Sequence, residues 1–429
     1  MNFQNTLSFA RTMDEQDPLR KFRDEFLFPQ QNGKPFIYLC GNSLGLQPKS
    51  AREVLGKELD NWQNLAVEGW FEGDSPWMFY HKELKKLMAP IVGATPAEVC
   101  PMNTLTVNLH LLLVSFYRPE QKKFKIIMEA GAFPSDQYAL ESQVRFHGYD
   151  PAEAIIEVAP RAGEYTLRTE DIIARIAENA GELALVLFGG INYFTGQWFD
   201  MKAITEAGHA AGAIVGFDLA HAAGNVPVQL HDWDIDFACW CSYKYQNSGP
   251  GGIGGIFIHE KHFKDDTLNR FAGWWGYQES TRFKMEKGFV PEPGADGWQI
   301  SCSQVMPMAL YYASLQIFEA AGFMGPIRNK SKLLTAYLIY IIDQVNLAIG
   351  HQQYQVITPE NENDRGTQVS IIASGNAKGV FEKLVANNVL GDWREPNVIR
   401  LSPVPLYNSF EDVFLTGELL LKISKEIAI

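Results

Sequence analysis

The chain has 429 residues, of which 46% are apolar and 20% charged, with Gly at 36 and Pro at 22. That length suits two to three folding units, and the composition excludes a disulfide- or metal-stapled miniature, a collagen-like repeat and a disordered chain. Thirty-seven Lys and Arg against 50 Asp and Glu leave a net charge of −13, which opposes non-specific binding to nucleic acid or anionic lipid and favours a small molecule as partner.

The opening MNFQNTLSFARTMDEQDP has no basic segment followed by an apolar core, and the most apolar stretch, Leu109 to Phe116, is far too short to span a membrane. Five cysteines, at 40, 100, 239, 241 and 302, follow no zinc spacing. Reduced thiols in the cytoplasm are the expectation. Cys239 and Cys241 fall on one face of a strand, since side chains alternate with period two.

In chain order, Phe36 to Leu39 reads as a short strand. It runs into Gly41-Asn42-Ser43-Leu44-Gly45, which matches the nucleophile elbow of serine hydrolases. Too little chain precedes Ser43 to have built the sheet that an elbow tops, so a tight Gly-rich turn is the preferred reading. Pro48 to Ala66 carries Ala51, Val54, Leu55, Leu59, Trp62 and Leu65 at helical spacing, with Pro48 in the opening turn, and predicts an amphipathic helix. Asn103-Thr104-Leu105-Thr106 opens an apolar helix, Val107 to Tyr117. Lys125 to Met128, Ile155 to Val158, Leu183 to Phe188 and Ala213 to Phe217 read as strands, with helices near 135–147, 169–180 and 200–211. That rhythm predicts an α/β fold with a mainly parallel, helix-covered sheet. Asp236 to Trp240 and Gly255 to Ile258 follow without a useful intervening helix, so some antiparallel pairing is expected. Beyond about residue 300, helices at Met308 to Ala321 and Ser331 to Leu347 precede strands Tyr354 to Thr358, Gln368 to Ala373 and Val398 to Ser402 around a helix at 377–388. These form a smaller α+β domain, with Pro359 to Gly366 as an exposed connection.

Two further motifs fail on context. Gly249-Pro-Gly251-Gly-Ile-Gly254 has dinucleotide-fingerprint spacing but leads into a strand, where that chemistry needs a helix N-terminus. His259 and His262 are three apart after a strand, not four apart on a helix as a zinc pair requires, so a solvated turn is expected and no metal site is assigned.

One constellation survives. Asp218 follows the strand Ala213 to Phe217, His221 lies three residues on, and Lys244 follows the next strand. Ligands of open α/β sheets bind beyond the carboxyl ends of strands, so an acid and an amine face one crevice. Pyridoxal 5'-phosphate asks for that pair: the amine forms a Schiff base and the carboxylate keeps the pyridine nitrogen protonated. The helix start at Asn103 to Thr106 offers amides to a phosphate, and is equally compatible with simple capping by Asn103 or Thr104. Phe133 and Asp136, in Ala-Phe-Pro-Ser-Asp, fit a ring-stacking and polar-edge role, with a core reading for Phe133 equally open.

The runs GNSLGLQP, NTLTVNLHLL, FPSDQYALESQ, FDLAHAAGNVPVQLHDWDIDFACWCSYKY, STRFKM and IRLSPVPLYNSF resemble the kynureninases, pyridoxal-phosphate enzymes of the aspartate-aminotransferase fold type. The resemblance covers the chain from about Phe36 to Ile423. It implies an N-terminal segment 1–60 packed on the small domain, a large cofactor-binding domain 61–305 and a small C-terminal domain 306–429. It also implies that Lys244 carries the cofactor and moves protons, that Asp218 pairs with the pyridine nitrogen and that Phe133 stacks on the ring. Leu105 and Thr106 would contact the phosphate, as would Tyr243, which would also donate a proton near the substrate carbonyl. His221, Asp136 and Trp274 would complete the shell. Arg400 would grip the substrate α-carboxylate, with Ser43 and Trp70 also on the substrate side. Trp274 and the segment near Cys302 would come from the neighbouring subunit of a homodimer whose site lies at the interface. The implied reaction is hydrolysis of L-kynurenine to anthranilate and L-alanine in tryptophan breakdown. The alternatives are another enzyme of this fold type, a transaminase or a desulfurase, and a catalytically silent binding protein.

Two departures qualify the resemblance. Gly189 stands where some members have serine, which removes one side-chain contact to the phosphate. Trp70 and Cys302 fall where animal enzymes that favour 3-hydroxykynurenine carry histidine and asparagine, so a preference for kynurenine itself is expected.

Overall fold

The computed structural model describes residues 2–427. Its centre is a seven-stranded sheet of β1 (Val99–Pro101), β2 (Lys125–Glu129), β3 (Ile155–Val158), β4 (Leu183–Gly189), β5 (Ile214–Asp218), β6 (Phe237–Cys241) and β7 (Gly254–Ile258), in spatial order β1-β7-β6-β5-β4-β2-β3. The five strands from β3 to β6 in that order are parallel; β7 runs antiparallel to both β6 and β1. The strands are nearly continuous apolar runs because both faces are covered. Alternation then sorts them: Ile127, Val186, Phe188, Ala238 and Trp240 enter one core, while Ile126, Met128, Leu185, Leu187, Phe237 and Cys239 enter the other.

A second sheet holds β8 (Tyr354–Val356), β9 (Val369–Ala373), β10 (Asp392–Arg394) and β11 (Val398–Leu401), all antiparallel, in order β8-β9-β11-β10. Its own core includes Leu338, Ile341, Ile371, Leu384, Ile399 and Val413. The change of core falls inside the helix Met324–Ile349: Met324 and Ile327 belong to the large-domain core, Leu334 onward to the small one. The helix Val305–Ala320 buries Met308, Tyr311 and Phe318 in the large-domain core, so the expected division at 305/306 does not coincide with the change of core. Met324–Ile349 is long and apolar enough to cross a membrane, but its apolar residues are explained by the two cores it joins. The N-terminal helix Leu7–Glu15 is tied to the small domain, where Asp14 accepts from the first amides of the helix Phe410–Ile427 at 2.7 and 3.0 Å.

Four local expectations are corrected. The predicted helix at Pro48 begins at Ala51, because Pro48 pairs with Phe26 in a two-residue bridge. Its apolar stripe is only partly covered: Ala51 is buried and Val54 packs on the large-domain core, while Leu59 is 47% and Trp62 62% exposed. The turn after β7 is solvated only at Glu260 and Lys261, since His259 is buried and stacked on His231, and His262 Nε2 lies 2.8 Å from the buried Asp236. The connection 359–366 is anchored at one end, where buried Arg365 donates to Thr335 Oγ1 at 3.2 Å. The strand β10 has no clear sequence signature.

Candidate active site

Parallel strands that share a direction deliver their last residues to one edge of the sheet. Here Glu129, Gly189, Asp218 and Cys241, the final residues of β2, β4, β5 and β6, line one cavity of about 160 Å³. Leu105, Thr106, Phe133, Asp136, His221, Tyr243 and Lys244 complete its wall with Ser135, Ile191, Tyr193 and Ala220. Lys244 Nζ stands 3.1 Å from His221 Nε2 and 5.7 Å from the centre of the Phe133 ring. The Phe133 ring is 40% exposed and meets Tyr193 edge-on at 5.2 Å.

Three buried acids share this space. Burial pushes Glu129 up to about 8. Burial raises Asp218, although the Ala220 N–H at 2.7 Å relieves it in part, and burial with repulsion from Asp218 raises Asp136 well above the carboxylate range. His221 is depressed by burial and by the charges of Lys244, Arg400 and Arg394, and its Nδ1 is buried without a partner. Burial also raises the Tyr243 phenol, which keeps it protonated.

At the helix Leu105–Phe116 no side chain caps the first turn; Asn103 Nδ2 instead donates to Asn108 Oδ1 at 3.1 Å. The leading amides of that helix therefore face the cavity as an anion site. Crowded acids opposite a lysine, an open helix N-terminus, an exposed aromatic ring and an orphaned histidine nitrogen together fit a protonated pyridine with a phosphate arm.

Other predicted residues lie elsewhere. Arg400, on β11, is fully buried; its Nη1 donates to Tyr193 O at 2.6 Å and its Nη2 to Asp392, directly across the strand pair. Ser43 Oγ also donates to Asp392. The GNSLG turn serves the lysine loop: Gly45 N donates to Tyr243 O at 2.8 Å, and a Cβ on Gly45 would stand 2.3 Å from Lys244 O. Trp70 packs on Trp77 and Trp275, while Trp274 and Cys302 are exposed and away from the cavity. Cys239 and Cys241 are free thiols raised by burial, the reverse of a reactive pair. Glu129 and Tyr193 were missed by sequence reasoning; the strand-end rule that found Asp218 also points to Glu129. A larger groove of about 740 Å³ is apolar, lined by Leu27, Tyr38, Leu46, Leu55, Pro250 and Leu310, and holds no acid–base pair.

The fold and the lysine–carboxylate cavity define a pyridoxal-phosphate enzyme of the aminotransferase fold type. The aminotransferase class-V model matches residues 37–288. Among solved structures, a cysteine desulfurase from Thermococcus onnurineus NA1 superposes with TM-score 0.75 at 19% identity over 91% of this chain and 94% of that one. The cysteine desulfurase CsdA from Escherichia coli gives TM-score 0.72 at 14% identity over 96% and 98%. The small domain narrows the class, because the kynureninase C-terminal domain model matches residues 327–420. A kynureninase from Flavobacterium psychrophilum is 55% identical over 98% of this chain and 99% of its own length, and one from Nematostella vectensis is 49% identical over 94% and 91%. The chain belongs to the kynureninase family, pyridoxal-phosphate-dependent hydrolases that act on carbon–carbon bonds.

Proposed function

We propose that this chain hydrolyses L-kynurenine to anthranilate and L-alanine, with pyridoxal phosphate held on Lys244. The observation that carries the reading is the meeting of Lys244 with Asp218, Asp136 and His221 around one cavity in a chain of this family. When bound, the cofactor ring takes up the electron pair left at the substrate α-carbon. Lys244 Nζ removes and returns the proton at that carbon. The half-buried, protonated Tyr243 hydroxyl donates toward the substrate carbonyl, where water adds before the bond to the β-carbon breaks, and the β-carbon then takes the proton that completes alanine. Leu105 and Thr106 amides would hold the phosphate, Phe133 would stack on the ring and Asp218 would keep its nitrogen protonated. The cavity supplies orientation and proton placement.

The test is incubation of the purified holoenzyme with L-kynurenine. Anthranilate fluorescence appearing with an equal amount of alanine is expected. Loss of kynurenine to a transamination product instead would replace this reading with the transaminase one.

The site belongs to a homodimer, in this proposal. The exposed Leu59 and Trp62 of the helix Ala51–Leu65, the apolar groove that this helix helps to line, and the exposed cluster of Phe71, Trp274 and Phe283 are apolar surfaces that a second copy would cover. Trp274 and the segment near Cys302 would reach the partner's cavity from these surfaces. A monomeric mass by light scattering would exclude this arrangement. The five unpaired cysteines fit a reducing, cytoplasmic setting.

A further inference from the structure

Behind Tyr193, a residue of the cavity wall, two arginines of the small sheet share a single acid. On one face of the small sheet, Asp392 and Arg400 are cross-strand partners and Arg394 lies two residues along β10, so all three side chains project together. Asp392 Oδ2 accepts from Arg400 Nη2 and from Ser43 Oγ, and Arg394 Nη2 lies 3.4 Å from the same oxygen. Two guanidiniums thus share one carboxylate, leaving a formal positive charge.

Part of the Arg400 fork is already engaged, since one N–H of Nη1 goes to Tyr193 O and one of Nη2 to Asp392, while Nε has no partner. Arg394 Nε is likewise buried without an acceptor. The Arg394 guanidinium lies 6.0 Å from the centre of the Tyr193 ring, and that ring meets Phe133 at the cavity wall. Burial and Lys244 depress His221 most, and both arginines add to that depression. A long, partly exposed contact such as Arg394 to Asp392 contributes little to stability by itself, so the arrangement is better explained by an anion it receives.

We propose that Arg394 is a second carboxylate-binding residue, held beside Arg400 by Asp392, so that the substrate α-carboxylate is received by two guanidiniums and neutralises the excess charge. This rests on the cofactor and amino-acid-substrate reading above, and its test does not depend on turnover.

The holoenzyme is titrated with L-alanine and with L-alaninamide, the second lacking the carboxylate charge, and binding is read from the change in the cofactor's visible absorption. Arg394→Gln is expected to weaken alanine by about tenfold or more, as loss of a charge-assisted hydrogen bond does, while leaving alaninamide nearly unchanged. Arg394→Lys, which keeps the charge but not the planar fork, should fall between. Equal weakening of both ligands, or alanine binding as tight as in the wild type, would overturn the proposal. If Arg394→Gln does not fold, Arg394→Lys decides it by the same comparison. A wild-type protein that prefers alanine to alaninamide yet leaves kynurenine uncleaved would sink the reaction assigned above and leave the clamp standing.

Discussion

Replacing Glu129 by Gln should remove a pH-dependent destabilisation that the fold builds into its own cofactor cavity. Glu129 ends β2 with almost no exposure; Asn192 Nδ2, at 3.5 Å, and the Gly189 amide offset its burial in part, and Asp218 adds repulsion. Its carboxyl is therefore pushed up to about 8 in the folded protein, from an ordinary value of 4.5. The sign follows from proton binding. Between those values the folded state holds a proton that the unfolded state has released, so stability is fully present below about pH 4.5 and is lost as pH rises toward 8. At about 1.4 kcal/mol per pH unit the loss would be roughly 4 to 5 kcal/mol as an upper bound, and relaxation and water entry reduce it to about 2 kcal/mol. Glutamine mimics the protonated acid in shape and cannot ionise. Urea unfolding of the cofactor-free protein at pH 5, 7 and 9 should therefore give coincident stabilities at pH 5, and a variant more stable than wild type by about 2 kcal/mol at pH 9. Parallel pH profiles for the two proteins would refute the reasoning, because Glu129 would then be ionised and solvated in both states.

Three further outcomes follow from the same structure. Lys244→Ala should abolish turnover and leave no cofactor attached to the chain after borohydride reduction, read by mass spectrometry, with thermal stability little changed because the side chain lines a cavity. Gly45→Ala sets a methyl group 2.3 Å from the Lys244 carbonyl and from Asn247 Oδ1, and should cost about 1 to 3 kcal/mol by differential scanning fluorimetry while lowering cofactor loading. With Trp70 packed among tryptophans and Cys302 the only exposed cysteine among the described residues, neither supplies a strong partner for a ring hydroxyl. The kcat/KM for kynurenine should therefore exceed that for 3-hydroxykynurenine by about tenfold, since an unpaired buried hydroxyl costs about 1 to 3 kcal/mol; equal values would count against it.

The central strands and helices were legible because burial on both faces of a parallel sheet forces unbroken apolar runs, a signal that needs no knowledge of neighbours. Ile155–Val158 is recovered without error and Leu183–Gly189 within one residue. The pairing of Asp218 with Lys244 was legible for a related reason: each ends or follows a strand, and parallel strands send their ends to one edge. Long-range juxtaposition was not legible. Nothing local to Glu129 announces two more acids beside it, and nothing local to Asp392 announces that Arg400, Arg394 and Ser43 will converge on one oxygen. The sequence by itself determined the periodicities, the strand-end chemistry and the family, all of which are properties of short windows or of the whole string. Only the tertiary structure decided which charges share a cavity, which part of the apolar stripe of the helix Ala51–Leu65 stays uncovered and where one core gives way to the next, because electrostatics and packing depend on distances between residues that the chain itself keeps far apart.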